Sequence, residues 1–355
     1  MPYGSGYLVT NYKADMAIVA TRFQRFWLGV LVVLLIAFPF VAGPYYVHLI
    51  NLVALACIAA LGLHILTGLT GLISLGHAAF LAIGGFTAAI LASELGLPFY
   101  VTVPAAMIAG AVAGLIAGLP VLRLRGFYVV LSTLAVHFIV TFAAMSYQSE
   151  GGMTAGYTIP AASLGPWVIN TLVDWYFLLV AVVIAATVFC INLERSQIGR
   201  AWIAIREKDI VAEALGIHVG YYKLLSFMFS SALASLAGCL SSFYMHFVDA
   251  SSYNLWIGIV YIAMIIIGGM GSIMGVFLGT ILVTLLPYGL SMIFDLFAVT
   301  GGKGPIFFGI QYGLFGVLFV TFLVVEPEGL VGIWRRIRSF FELWPFKYKR
   351  VIATR

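Results

Sequence analysis

The chain alternates between long apolar blocks and short polar segments. Most blocks are close in length to the roughly 20 residues that an α-helix needs to cross the hydrocarbon core of a bilayer. Strict apolar–polar alternation is absent, and backbone groups inside lipid must bond within their own segment, so the blocks predict helices. The predicted spans, about ten in all, are 27–47, 49–67, 71–93, 98–121, 127–146, 174–193, 223–247, 254–270, 275–296 and 305–326.

Composition supports an all-α, polytopic transmembrane bundle. Hydrophobic residues make up 63% of the chain and charged residues 9%, whereas a soluble domain carries about 25% charged residues. If Met1 lies in the cytoplasm, the predicted spans leave every Lys and Arg except Lys303 on the cytoplasmic side. Cytoplasmic loops favour these residues, so we expect both termini in the cytoplasm. The net charge of +5 then reflects membrane orientation rather than nucleic-acid binding.

The chain divides into three parts on this topology. We expect a cytoplasmic N-terminal segment, 1–26, a transmembrane domain, 27–332, and a basic cytoplasmic tail, 333–355. The transmembrane domain includes a long cytoplasmic loop, 194–223.

Rows of small residues at every fourth position predict close contacts between the spans. Such rows let helix backbones approach one another where lipid removes the hydrophobic drive for association. Packing is therefore a better interpretation of them than ligand binding. The rows are Gly110, Gly114 and Gly118; Gly271, Gly275 and Gly279; and Ser230, Ala234, Gly238 and Ser242.

The polar and charged residues in and around the apolar blocks favour a transport pathway over a catalytic site. Every acidic residue lies near the end of a span or in a loop, whereas ion-coupled transporters usually keep a charged residue at mid-membrane. The segment Thr300–Gly304 lacks the spacing and the Ser or Thr of a nucleotide-binding loop. The sequence has no paired carboxylates, metal-spaced His or Cys residues, or nucleophile constellation, so we expect no enzyme, no cofactor and no metal site.

The cytoplasmic loop 194–223 contains a pattern typical of an amphipathic helix. Ile198, Trp202 and Ile205 recur at helical spacing, with basic residues between them. We expect this helix to lie at the membrane interface.

A second, shorter helix is expected directly after it. Asp209 is placed to cap the first amides of a helix over Ile210–Leu215, and Gly216 to end it in a left-handed conformation. A capped helix outside the bilayer can dock in a partner and transmit a push. An ordinary connector that holds the membrane edge is an equal alternative on these residues alone.

Six segments carry specific patterns in a fixed order. They are 66–90 (LTGLTGLISLGHAAFLAIGGFTAAI), Leu122–Thr133 (LRLRGFYVVLST), Glu150–Thr154 (EGGMT), Ile198–Gly216, Gly268–Gly275 (GGMGSIMG) and Glu326–Leu330 (EPEGL). From about Leu49 to Gly332 the chain thus resembles permease subunits of ATP-binding-cassette importers of the branched-chain amino-acid type. The EGGMT segment lacks the Thr that precedes the family's Gly-Gly pair.

The resemblance implies that the loop 194–223 couples the permease to an ATPase. The positions that it assigns to this coupling are Arg206, Glu207, Asp209, Glu213, Ala214 and Gly216. The general importer pattern places its Gly further beyond the Glu-Ala pair than Gly216 is. The implied partners are a second homologous permease, cytoplasmic ATP-binding subunits, a periplasmic solute-binding protein and membrane lipid, in a bacterial inner membrane.

Two glycine-interrupted segments are candidates for the transport path. We name them the first glycine joint, Gly71–His77, and the second glycine joint, Gly268–Gly275. A broken or re-entrant helix is an open alternative for the predicted spans 71–93 and 254–270. Broken segments in two halves of a transporter often mark the path. Ser74, His77 and Ser272 are the path candidates, with close packing as the alternative.

The expected function is uptake of branched-chain or other amino acids by an ATP-driven importer. The alternative is an ATP-independent channel or facilitator for a small polar solute, which the missing nucleotide motif favours and the organised loop disfavours.

Overall fold

The fold is a bundle of long helices, seen in a computed structural model. The structure describes residues 22–124, 126–151, 156–164, 167–296 and 329–343, together with 309–310, 313–314, 316–317, 319–321 and 324. The helices are α1 Arg22–Val41, α2 Pro44–Leu63, α3 His77–Ala88, α4 Phe99–Val121, α5 Phe127–Glu150, α6 Leu172–Arg195, α7 Gln197–Glu207, α8 Asp209–Ala214, α9 Val219–Met245, α10 Leu255–Gly268, α11 Ile273–Leu296 and α12 Gly329–Leu343. Two π-helical stretches, His64–Leu69 and Ala89–Glu94, extend α2 and α3.

Eight helical stretches within the described residues are long and apolar enough to cross a membrane. They confirm the predicted polytopic helical bundle. The stretches 77–94 and 250–268 are among them, so the helices beside both glycine joints have spanning length. The predicted span 305–326 lies largely outside the described residues, as do most of the segment 1–26 and the end of the tail.

The predicted boundary between the first two spans is wrong. The apolar pattern predicts it near residue 48, but α1 ends at Val41 and α2 begins at Pro44. Proline has a fixed φ and no backbone N–H, which suits the first position of a helix. Gly43 adopts the extended conformation that precedes it.

Helix α9 lies at the centre of the bundle and packs against α4, α3 and α2. The predicted small-residue rows make these contacts possible. A Cβ atom on Gly110 or Gly114 of α4 would overlap serine side chains of α9, and one on Gly238 would overlap the backbone of Leu81 in α3. The second row works in the same way, because a Cβ on Gly279 of α11 would overlap the backbone of α10.

Four very short strands form two antiparallel pairs that the sequence analysis did not predict. β1, Tyr157–Thr158, pairs with β4, Phe247–Val248, and β2, Ala162–Leu164, pairs with β3, Trp167–Ile169. These pairs fix the connections between α5 and α6 and between α9 and α10.

Candidate functional site

Helix α7 is held firmly against the bundle. Ser196 caps it, because its Oγ accepts hydrogen bonds from the backbone N–H groups of Ile198 (3.1 Å) and Gly199 (3.3 Å). The indole N–H of Trp202 donates to the carbonyl of Tyr222 at 2.7 Å, and the side chain is fully buried. The predicted amphipathic helix is therefore confirmed, and its apolar face packs on α9 of the same chain. Its position at the membrane interface stays a prediction.

Helix α8 begins differently from the prediction. Lys208 occupies the N-cap position and Asp209 is the first helical residue, so the predicted capping by Asp209 is wrong. The Asp209 carboxylate instead forms an ion pair with Lys223 Nζ at 2.5 Å. The Lys223 side chain is only 8% exposed, and a buried ammonium needs a counter-charge more than the helix end needs a cap.

The end of α8 agrees with the prediction. Gly216 adopts a left-handed conformation with φ +86°. Its N–H donates to the carbonyl of Glu213 (3.0 Å), and the N–H of Ile217 donates to that of Ala212 (3.1 Å). This pair of bonds is the Schellman arrangement, which satisfies the last carbonyl groups of a helix.

The outer surface of α8 is apolar and open. Ile210, Val211 and Leu215 are 71%, 51% and 74% exposed, while Ala212 is buried on the opposite side. Glu207, Glu213 and Ala214 are exposed. An open groove of about 730 Å³ adjoins the helix and is lined by residues from Glu213 to Tyr221.

Arg206 is exposed as well, but its guanidinium also reaches the bundle. One guanidinium N–H donates to the carbonyl of Gly68, just before the first glycine joint, at 2.6 Å. The same nitrogen lies 2.5 Å from the position that a Cβ on Gly271 would occupy. The structure thus brings together Arg206 and both glycine joints, which sequence spacing alone gave no reason to expect.

The three path candidates have different surroundings. Ser74 and His77 are fully buried, and the Ser74 Oγ has no hydrogen-bond partner within the part of the chain that the structure describes. His77 Nε2 lies 3.0 Å from the carbonyl of Ala59, and its ring packs edge-on against Tyr261. Ser272, in the second glycine joint, accepts a hydrogen bond from the N–H of Gly275 at 3.4 Å.

A second groove was not predicted from the sequence. A groove of about 550 Å³, here called the side groove, opens between α2, α9, α10 and α11. Tyr261, against which His77 packs, is one of its lining residues, with Leu55, Ser241, Val260 and Thr284. Its residues are dispersed along the chain, so no local motif could have pointed to it.

The described residues contain no group of three or more His, Cys, Asp or Glu side chains placed to hold a metal ion. The chemistry available here is that of helix packing, hydrogen bonding and docking.

Comparison with known proteins gives a consistent result. Residues 45–325 match the family described as "Branched-chain amino acid transport system / permease component". The "High-affinity branched-chain amino acid transport system permease protein LivM" of Escherichia coli (strain K12) is 33% identical over 285 residues, which cover 73% of this chain and 67% of that protein. The probable permease LivH of Methanocaldococcus jannaschii is 25% identical over 80% of this chain and 91% of its own length.

BraD of Pseudomonas aeruginosa, also a high-affinity branched-chain amino acid transport system permease protein, is 26% identical over 77% of this chain and 90% of its own length. No solved structure matches the chain. With most of its length inside the family match and a relative at 33% identity, the chain belongs to the branched-chain amino acid transport permeases, as a multi-pass membrane subunit that is not itself the ATP-hydrolysing enzyme.

Proposed function

We propose that this chain is one permease subunit of an ATP-driven importer in a bacterial inner membrane. A second, homologous permease completes the pore, two cytoplasmic ATPase subunits drive it, and a periplasmic binding protein delivers the solute. Both termini, with the segment 1–26 and the tail 333–355, lie on the cytoplasmic side. Family membership and the positive-inside distribution of Lys and Arg support this arrangement.

The observation that carries the coupling role is the construction of α7 and α8. The loop 194–223 lies between two spanning helices, α6 and α9. The Trp202–Tyr222 hydrogen bond and the Asp209–Lys223 ion pair tie its helices to the start of α9. A helix fixed in this way moves as a rigid body with α9, which a flexible loop would not do.

The surface of α8 suits a protein partner. Ile210, Val211 and Leu215 expose large apolar side chains, and apolar clusters with a polar rim mark interaction sites. Glu207 and Glu213 supply acidic groups at the edge of this cluster. When the ATPases close on ATP, they would pull the α8 helices of the two permeases together and open the pore outward; hydrolysis would reverse the movement.

Branched-chain amino acids are the proposed solute. The names of the relatives, which are branched-chain amino acid transport permeases, support this class. The side groove supports it as well, because its volume of about 550 Å³ lies in the range of small-molecule sites. Apolar side chains and a few hydroxyl groups line it, which fits an aliphatic side chain.

The test is a matched pair of Leu→Asp variants. Leu215→Asp places a charge in the proposed docking surface, whereas Leu95→Asp makes the same change at a residue that is 63% exposed at the far end of α3. We expect Leu215→Asp to lower both the co-purified ATPase and solute uptake by roughly tenfold or more, at unchanged permease levels in the membrane. Normal uptake and ATPase recovery with Leu215→Asp would contradict the coupling proposal.

The alternative function, an ATP-independent facilitator, is favoured by the absence of a nucleotide-binding motif from the sequence. Reconstitution separates the two functions. A facilitator conducts solute in liposomes that contain only this chain, whereas an importer requires ATP and all of its subunits.

A further inference from the structure

Arg206 connects the coupling loop to both glycine joints. It lies in the last turn of α7, two residues before the N-cap of α8. Its guanidinium donates to the carbonyl of Gly68, at the end of the helix that precedes the first glycine joint. Its Nη1 also lies where a side chain at Gly271, in the second glycine joint, would have to go.

The hydrogen bond to Gly68 has a clear physical role. The last carbonyl groups of a helix lack intrahelical partners and carry a partial negative charge. A cation that donates to one of them satisfies the carbonyl and interacts favourably with the helix dipole. Arg206 therefore serves as a cap from a different part of the chain.

The glycines at the joints leave room for this side chain. Gly71 and Gly271 have φ of +73° and +83°, a region that side-chain-bearing residues rarely adopt. A Cβ at Gly71 would lie 3.1 Å from Arg206 Cγ, and one at Gly271 would lie 2.5 Å from Nη1. Both joints thus bend around the same arginine.

We propose that Arg206 is a positioning residue that transmits movement of α8 to the two glycine joints at once. The inference rests on the proposed function of α8 as the coupling helix. The first joint leads into α3 and the second into α11, so a displacement of α7 and α8 would reach two spanning helices through one side chain. Arg206 then acts inward, on the permease itself, in addition to the ATPase contact that the family resemblance assigns to it.

The functional test compares two arginines of one helix. Arg206→Ala removes the link to the joints, while Arg200→Ala removes a guanidinium whose hydrogen bond within the described part of the chain goes to the carbonyl of Arg195 at 3.0 Å. In the reconstituted complex we expect Arg206→Ala to lower the number of solute molecules moved per ATP about fivefold or more, with ATPase still bound. Arg206→Lys, which keeps one charged donor, should restore part of the ratio. An unchanged ratio for Arg206→Ala would overturn the inference.

A second measurement does not depend on transport. Spin labels at Ile73→Cys and Met270→Cys, which are 45% and 46% exposed, report the distance between the two joints in the purified permease. We expect Arg206→Ala to broaden or shift this distance, and Arg200→Ala to leave it unchanged. Equal distances in both variants would refute the link, even in an active importer. A shifted distance in a protein that needs no ATP would refute the proposed function and leave the link intact.

A separate observation concerns α12. Leu330, Ile333, Trp334 and Ile337 recur at spacings of three and four residues, and Arg335 and Arg336 fall on other positions of the wheel. Val331 is buried next to Gly329, which packs against Gly269 of the second glycine joint. Ile333, Trp334 and Ile337 are 37%, 48% and 45% exposed.

We infer that this helix lies on the membrane surface and binds anionic lipid headgroups. Charge complementarity selects this occupant, because Arg335, Arg336 and Arg338 in the helix are followed by Lys347, Lys349, Arg350 and Arg355. A helix with an apolar face and a basic opposite face lies in the interface with its apolar side among the acyl chains.

Spin-label accessibility in nanodiscs of the full-length protein tests this inference. Labels at Ile337→Cys and Ser339→Cys sample opposite sides of the helical wheel. With anionic lipid present, we expect the label at 337 to be accessible to oxygen, because oxygen partitions into lipid. We expect the label at 339 to be accessible to a water-soluble nickel reagent. Equal water access at both sites, or a label at 337 that is shielded from both reagents as in a protein contact, would overturn the inference.

Discussion

Single glycines decide how closely the central helices of this permease approach one another. At Gly238 a Cβ would overlap the carbonyl of Leu81, which is backbone and cannot rotate away. At Gly289, in α11, no atom of the described residues outside its own turn of helix lies within 4 Å of that position. The same residue type therefore has very different consequences at two places in the bundle.

We expect Gly238→Ala to destabilise the permease, because α9 and α3 would have to separate. Overpacking of this kind costs about 1–3 kcal/mol. Thermal unfolding of the detergent-solubilised protein should show a lower midpoint for Gly238→Ala. Gly289→Ala is the matched control and should unfold at or above the wild-type temperature, since alanine is the better helix former. Equal midpoints would show that these helices are not tightly packed.

Asp249 gives the connection between α9 and α10 a dependence on pH. Burial alone would raise the pKa of its carboxyl group, but hydrogen bonds from Ser251, from Gln148 and from backbone N–H groups outweigh burial and hold the pKa below its usual value. The amide of Gln148 donates to Asp249 at 2.9 Å and thereby joins α5 to this connection.

A lowered pKa in the folded state means that the carboxylate stabilises the fold above the unfolded-state pKa of about 3.9. That contribution is lost as the pH falls through the folded-state value. We expect the midpoint of thermal unfolding to change less between pH 7 and pH 3 in Asp249→Asn than in the wild type. Glu150→Gln serves as the control, because it removes an exposed carboxylate near the same end of α5. An identical pH response of Asp249→Asn and wild type would contradict this role.

Elements with a strong local signal were predictable from the sequence. The amphipathic pattern of Ile198, Trp202 and Ile205 predicted α7, and Gly216 predicted the end of α8. The role of Asp209 was not predictable, because the competing partner, Lys223, lies in another helix. The strands β1 and β4 were missed for a similar reason, since they pair across about 90 residues of sequence.

The left-handed Gly216 makes α8 sensitive to substitution without any change in packing. Among the described residues, no atom beyond its chain neighbours lies within 4 Å of a Cβ placed there, so the penalty for a side chain is conformational, about 1–2 kcal/mol. We expect uptake to fall in the order Gly216→Asn, Gly216→Ala, Gly216→Val, since asparagine tolerates this conformation best. Gly220→Ala, where a Cβ makes only an ordinary contact at 3.4 Å, should retain wild-type uptake. Equal uptake of the Asn and Val variants would show that the end of α8 need not be fixed.

For the whole molecule, apolar blocks revealed that the chain crosses the membrane many times, but not which faces remain open. In the most apolar 18-residue stretch of α5, and likewise of α6, 22% of the residues are buried. The corresponding share is 83% for α2 with its π-helical extension. Open faces must meet lipid or a partner. The side groove is also a property of the assembled bundle, because four helices contribute to it. Such surfaces depend on long-range packing, and sequence periodicity does not encode them.

The side groove is a candidate for part of the solute path. Val260 lines the groove, while Ile259, the residue directly before it in α10, is absent from its lining and is 36% exposed. If the groove belongs to the solute path, Val260→Trp fills it and should lower uptake of leucine more than uptake of alanine, because the larger side chain needs more of the volume. ATPase recovery should stay normal, since Val260 is not part of the exposed surface of α8 that is proposed to bind the ATPase. Ile259→Trp adds the same indole to the same helix and should transport both amino acids at nearly wild-type rates. Should the two variants transport alike, the groove would instead be a surface for lipid or for the second permease, and the path would have to be sought between the two permeases.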